Sequence, residues 1–256
     1  MSSSTCSLCH FWQSSIGKKI VVALTGAYLV FFLAGHLVGN MLIYQSSEAF
    51  NHYAEFLHTM LHGWGIWIFR IVMLVALALH IIATIQLTAA NRASRPSRYQ
   101  HDATMVASRS SRMMIWSGLT VLVFFVFHIL HYTVRVQSDL QVLADFKQNW
   151  AITIAGFQNL LVVLFYILAM ALLCSHLSHG VGSIFQTLGL RTKKTAKGIQ
   201  LFSKAYSLII FVGFISIPIS VYFFGMGKKE MEATKAKVEA AVQAGLTELP
   251  EQDNAH

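Results

Sequence analysis

Four histidines stand one each inside long uncharged apolar stretches: His36, His80, His128 and His176. An imidazole in hydrocarbon is costly, so it is a functional candidate by default, although a single one can simply hydrogen-bond a neighbouring helix. Four, one in each of four consecutive stretches, point further. Neutral imidazole is a common iron ligand, and facing helices of a bundle are where such ligand sets assemble. Iron held in a haem between two imidazoles keeps no open position for substrate or oxygen. Centres of that type pass single electrons and carry out no bond chemistry.

The elements that position these rings follow from charge. Uncharged runs lie between Lys19 and Glu48, Arg70 and Arg92, Arg112 and Arg135, Lys147 and Arg191, and Lys204 and Lys228. Each has the roughly 20 residues that a helix needs to traverse about 30 Å of hydrocarbon. The pattern predicts an all-α membrane protein with five transmembrane helices near 20–43, 64–90, 113–134, 151–180 and 206–226, the first four forming a haem-binding bundle. A closed β-barrel would need short alternating segments, which these continuously apolar runs are not. Residues 1–19 then form an N-terminal segment, 20–226 the membrane domain, and 227–256 a tail, rich in Ala, Glu and Lys, that reads as a short solvated helix.

The net charge of +8 belongs to loops, not to a nucleic-acid-binding face. Lys18 and Lys19 precede the first helix; Arg92, Arg95, Arg98, Arg109 and Arg112 lie between the second and third; Arg191, Lys193, Lys194, Lys197 and Lys204 lie between the fourth and fifth. The opposite loops carry Glu48 and Glu55, and Arg135 and Lys147 offset by Asp139 and Asp145. The excess of positive charge places the first set in the cytoplasm, the N-terminus inside and the C-terminus outside. The first helix, lacking a convincing cleavage site, is expected to remain as an anchor.

Depth suggests the pairing. His36 and His128 come late in helices running outward, and His80 and His176 late in helices running inward, giving an outer pair and an inner pair. Gly26 and Gly118 each precede a histidine by ten residues, about 15 Å along a helix, which sets them near the inner pair; there a missing side chain would admit a porphyrin edge or simply close helix packing. Gly35 and Gly39, flanking His36, carry the same two readings. His131 and His179 follow His128 and His176 by three residues on nearly the same face and are rival ligands. His58 and His62 sit in the outer loop before the second helix. Cys6, Ser7, Leu8, Cys9 and His10 spell C-x-x-C-H, a c-type haem attachment pattern, but on the end that the charges place in the cytoplasm. Cys174, within the fourth helix, reads as a small apolar filler.

The order and spacing of Gln13, Ser14 and Gly17, of Ala34, Gly35 and His36, of Leu79 and His80, of Gly118 with His128, and of His176 with Gly189 resemble the two-haem cytochrome b anchor subunit of succinate dehydrogenases and fumarate reductases that use menaquinone. The resemblance runs from about Phe11 to Gly225. It implies two haem b groups, held by His36 with His128 and by His80 with His176. It implies, too, a flavoprotein and an iron-sulfur subunit on the cytoplasmic face of a bacterial membrane. Succinate would be handled by those partners, this chain serving as the membrane subunit that exchanges electrons with menaquinone. By position, Gln13, Ser14 and Arg112 would meet inner propionates or a quinone headgroup, and Arg70 the outer haem; either arginine could instead snorkel to lipid headgroups. His131 and the C-x-x-C-H pattern depart from what that family leads one to expect. A b-type subunit of a hydrogenase or formate dehydrogenase, or a transporter relaying protons through its histidines, are the alternative readings; against the last, the crossings hold no Asp or Glu.

Overall fold

The structure, a computed structural model, describes residues 7–94 and 114–249. Five helices are long and apolar enough to cross a membrane: α2 with its terminal 3-10 turn (Ser15–Tyr44), α4 (Trp64–Ala93), α5 with a terminal π turn (Met114–Val134), α8 (Leu160–Thr187) and α9 (Ala196–Phe224). Among the described residues there is no strand. Hydrocarbon offers the backbone no hydrogen-bond partner, so each span must satisfy its own amides, which only a continuous helix or a closed barrel does.

Polar side chains mark the ends. Ser14 separates a short helix α1 (Ser7–Gln13) from α2; its hydroxyl accepts from Gly17 N at 2.9 Å and donates to Phe11 O at 2.8 Å. At this corner a Cβ on Gly17 would run into the Phe11 carbonyl. Asn159 caps α8, its side-chain oxygen accepting from Leu161 N at 2.8 Å. Gly225, at φ +65°, ends α9.

Two expected boundaries are corrected. The fourth apolar run is not one helix over 151–180: it divides into α7 (Asn149–Gly156) and α8, because Asn159 offers the backbone a cap that restarts the helix. The fifth span begins at Ala196 rather than near 206, since Lys197, Gln200 and Lys204 extend it by polar turns that suit water and headgroups.

The spans do not pack uniformly. α2 lies close along α4, and α5 along α8; α8 also packs on α2 and, most extensively, on α9. Tyr206 of α9 donates to Val30 O, and Leu37 of α2 fills the place where a Cβ on Gly213 would stand. Between α2 and α5 the backbones do not approach closely. The bundle is therefore two helix pairs joined along one edge through α2 and α8, while α2 and α5 meet through side chains.

A cap closes one end of the bundle. It is built of α3 (Ser47–Thr59), α6 (Ser138–Asp145), α7 and α10 (Lys228–Gln243). Leu140, Leu143, Trp150, Ile154 and Ile43 are buried together there, and α10 adds Met231, Val238 and Ala241. The tail helix expected to be solvated is thus docked: these three residues recur at seven and three positions, one stripe on an otherwise charged helix. Trp150 is the hub, its backbone N–H donating to Asn51 Oδ1 at 2.8 Å and its Nε1–H to Ile43 O at 3.2 Å. Trp150→Ala should cost about 3–5 kcal/mol of cap packing and expose α10 to limited proteolysis.

On the same helix, Lys235 donates to Asp139 at 2.7 Å. The ammonium holds the carboxyl below its ordinary range, and the carboxylate holds the lysine above its own. The pair's contribution is therefore lost as pH falls through the lowered value of Asp139, and lost again as pH rises through the raised value of Lys235. Both groups are exposed, so Asp139→Asn should leave α10 protected: pairs of this kind contribute about 0.2–1 kcal/mol. Proteolysis of the two variants side by side separates the apolar anchor from the ion pair.

Candidate functional site, two histidine pairs in the bundle

His36 on α2 and His128 on α5 face one another across the space between these helices, ring centroids 5.9 Å apart and planes at 83°. With a metal–imidazole bond of about 2.0 Å, two imidazoles on opposite sides of one ion would have centroids about 6 Å apart. The observed separation fits. Aromatic rings surround the pair: Phe32 stacks on His36 at 5.2 Å, Phe214 lies 5.6 Å from it, and Phe124 lies 5.7 Å from His128.

His80 on α4 and His176 on α8 lie at a second level, within electrostatic reach of each other. A Cβ on Gly26 would stand 3.2 Å from His80 Cε1 and 3.7 Å from Ile184 of α8; one on Gly118 would stand 3.5 Å from His176 Cε1. Both glycines thus make room for the imidazoles themselves. Gly39 accommodates Tyr53 instead, and nothing stands near the missing side chain of Gly35. The separation of the levels can be read on three helices. Gly26 precedes His36 by ten residues, Gly118 precedes His128 by ten, and Tyr166, whose hydroxyl touches His128, precedes His176 by ten; each interval is about 15 Å of helix.

Hydroxyl groups meet the rings at both levels. His80 Nδ1 lies 3.2 Å from Thr25 Oγ1, and His176 Nδ1 lies 3.2 Å from Ser117 Oγ. Tyr166 serves two rings, its oxygen 3.2 Å from His128 Nδ1 and 3.1 Å from His131 Nδ1. Thr25, Ser117 and Tyr166 are absent from the sequence reading. A signal for the first two was there: a hydroxyl residue directly before a glycine that itself precedes a histidine by ten, once in α2 and once in α5.

Of the rival ligands, His131 does not stand opposite His36. It is buried beside Tyr132 with ring centroids 4.2 Å apart, and its Nε2 has no partner among the described residues. The Nε of Arg135 is likewise buried and unpartnered among them. Arg70 is close enough to Arg135 for their charges to repel, and its guanidinium lies 5.2 Å from the centre of the Trp67 ring. His179, three residues beyond His176, lies near Arg191 instead.

Gln13 is exposed, and the Ser14 hydroxyl caps α2. Arg112 and Cys6 are outside the described residues, while Cys9 and His10 are exposed and Cys174 is a partly buried free thiol. His58 is held by Ala54 O at 2.8 Å, and His62 lines an open concavity with Gly63, Trp64 and Trp67.

No protein-family model, curated protein or solved structure matches the chain. The chemistry must come from the arrangement. Among the described residues no three His, Cys, Asp or Glu side chains converge as a bare metal ion requires. The histidines come in twos, which suits an ion whose other ligands arrive with a cofactor.

Proposed function

We propose that this chain is the membrane anchor and electron conduit of a succinate:quinone oxidoreductase. It binds two haem b groups, and it joins a cytoplasmic iron-sulfur subunit, with its flavoprotein partner, to menaquinone. The observation that carries the reading is the meeting of His36 and His128 at 5.9 Å between two helices whose backbones stay apart. That spacing is what two imidazoles on opposite sides of one iron require. The resemblance of residues 11–225 to the two-haem anchor subunits supplies the partners and the quinone.

In this reading His36 and His128 hold the outer haem, His80 and His176 the inner one. Bound there, haem would supply reversible one-electron oxidation and reduction. The protein's own part is to orient the rings, to exclude water with Phe32, Phe124 and Phe214, and to receive charged edges. Arg70, Arg135 and His131 are donors at the outer level suited to carboxylates or a quinone carbonyl. By their place in the sequence Gln13 and Arg112 would take that part at the inner end, whereas the Ser14 hydroxyl is spent on Phe11 O and Gly17 N. The basic loops put the N-terminus in the cytoplasm.

A pyridine haemochrome assay on the purified protein should give two b haems per chain. Haem content near zero would end the reading, and copurification with a hydrogenase or a formate dehydrogenase would reassign the partners.

A further inference from the structure

The two hydroxyls at the inner level carry more than a contact. Thr25 Oγ1 lies 2.6 Å from Val21 O, the i−4 carbonyl of its own helix, and Ser117 Oγ lies 3.1 Å from Met114 O. A hydroxyl has one proton, and a helix carbonyl can only accept, so in each case that proton is committed to the backbone. What the hydroxyl can offer the imidazole at 3.2 Å is a lone pair. With the hydroxyl proton on the backbone the imidazole donates from Nδ1, and a neutral ring protonated there has a bare lone pair on Nε2. Both inner imidazoles thus meet the same device, a hydroxyl bonded to its own helix backbone, from two helices that carry no inner histidine of their own; the backbone of Val22 also lies within hydrogen-bonding reach of the His80 ring.

The outer level is built otherwise. Tyr166 has one proton for two imidazole nitrogens, so it can donate to one of His128 and His131 while accepting from the other. The one hydrogen-bonding side chain given at the His36 ring among the described residues is Asn40, whose amide nitrogen lies 3.4 Å from Nδ1 and 3.5 Å from Nε2 and also donates to His36 O at 2.7 Å. Neither outer ring has a dedicated acceptor.

We propose that Thr25 and Ser117 are positioning residues for the inner histidine pair, each accepting Nδ1–H from the imidazole of the neighbouring helix and so presenting Nε2 to iron. The proposal rests on the two-haem reading. A hydrogen bond of this kind turns the ring and raises its basicity as a ligand, which favours ferric over ferrous iron and lowers the reduction potential of the centre.

The test compares Thr25→Val, Thr25→Ser and Ser117→Ala in the full-length protein, by optical redox titration and by EPR of the oxidised haems. Thr25→Val and Ser117→Ala should each raise the inner midpoint potential and shift the inner low-spin EPR signal, leaving the outer centre unmoved; Thr25→Ser should behave as the parent. Selective loss of the inner haem in Thr25→Val, with retention in Thr25→Ser, also supports the hydroxyl's role. Two bound haems with unmoved inner potential and signal in both hydroxyl-free variants overturn it, as does loss of the inner haem from Thr25→Ser. A parent protein that binds no haem refutes the two-haem reading instead. In that case nitrogen-15 NMR of the histidines still decides the geometry: the proton should sit on Nδ1 of His80 and His176, and His176 should lose that preference in Ser117→Ala. A proton on Nε2 in the parent overturns the proposal independently of any cofactor.

Discussion

His128→Ala should leave one haem per chain if the parent binds the two proposed, and the survivor should be the inner one. The same outcome is expected of His36→Ala, because the two rings face each other at 5.9 Å. His80→Ala and His176→Ala should spare the outer haem and remove the inner. Each substitution would take away one of the two imidazoles proposed to hold an iron, so partial retention at low occupancy is the most that remaining contacts would supply. His131→Ala is the informative control: His131 neighbours the outer level but does not face His36, and both haems should persist. Haemochrome content together with resolved redox titrations gives the answer. If His36→Ala and His80→Ala removed the same centre, the pairing would be wrong.

Gly26→Val should abolish the inner centre without touching any ligand. A single Cβ at this position would lie 3.2 Å from His80 Cε1, tight enough that the ring must give by a few tenths of an ångström; a branched side chain has to displace it. Overpacking of this sort costs about 1–3 kcal/mol, which is about 5- to 150-fold in occupancy. Gly118→Ala, whose Cβ would make an ordinary contact at 3.5 Å with His176, should be nearly silent, and so should Gly35→Val, which has nothing within reach. Haem content measured across the three variants separates a steric requirement at the ring from a general preference for glycine in packed spans. Equal losses in all three would overturn this assignment of Gly26.

The positions of the five spans were legible in the sequence because the cost of burying charge is local and additive along a chain. The gaps between Lys19, Glu48, Arg70, Arg92 and their successors locate the spans to within several residues. Where polar residues extend or interrupt a helix the reading failed: Asn159 restarts α8 within an apolar run, and Lys197 to Lys204 lengthen α9 beyond the hydrocarbon length. The cap was missed for a different reason. Met231, Val238 and Ala241 form a weak stripe on a charged helix, and its burial depends on α6 and α7 offering an apolar face.

By itself the sequence determined the depth of each histidine, since a rise of 1.5 Å per residue and alternating helix direction convert residue number into height. Height alone brings His36 level with His128, and Gly26 and Gly118 near His80 and His176. It does not say which way a ring points or what meets it. Only the tertiary structure turns His128 rather than His131 toward His36, and sets Thr25, Ser117 and Tyr166 against their imidazoles. Those choices depend on rotation about each helix axis and on which spans are neighbours, and both are settled by side-chain packing between segments far apart in the chain.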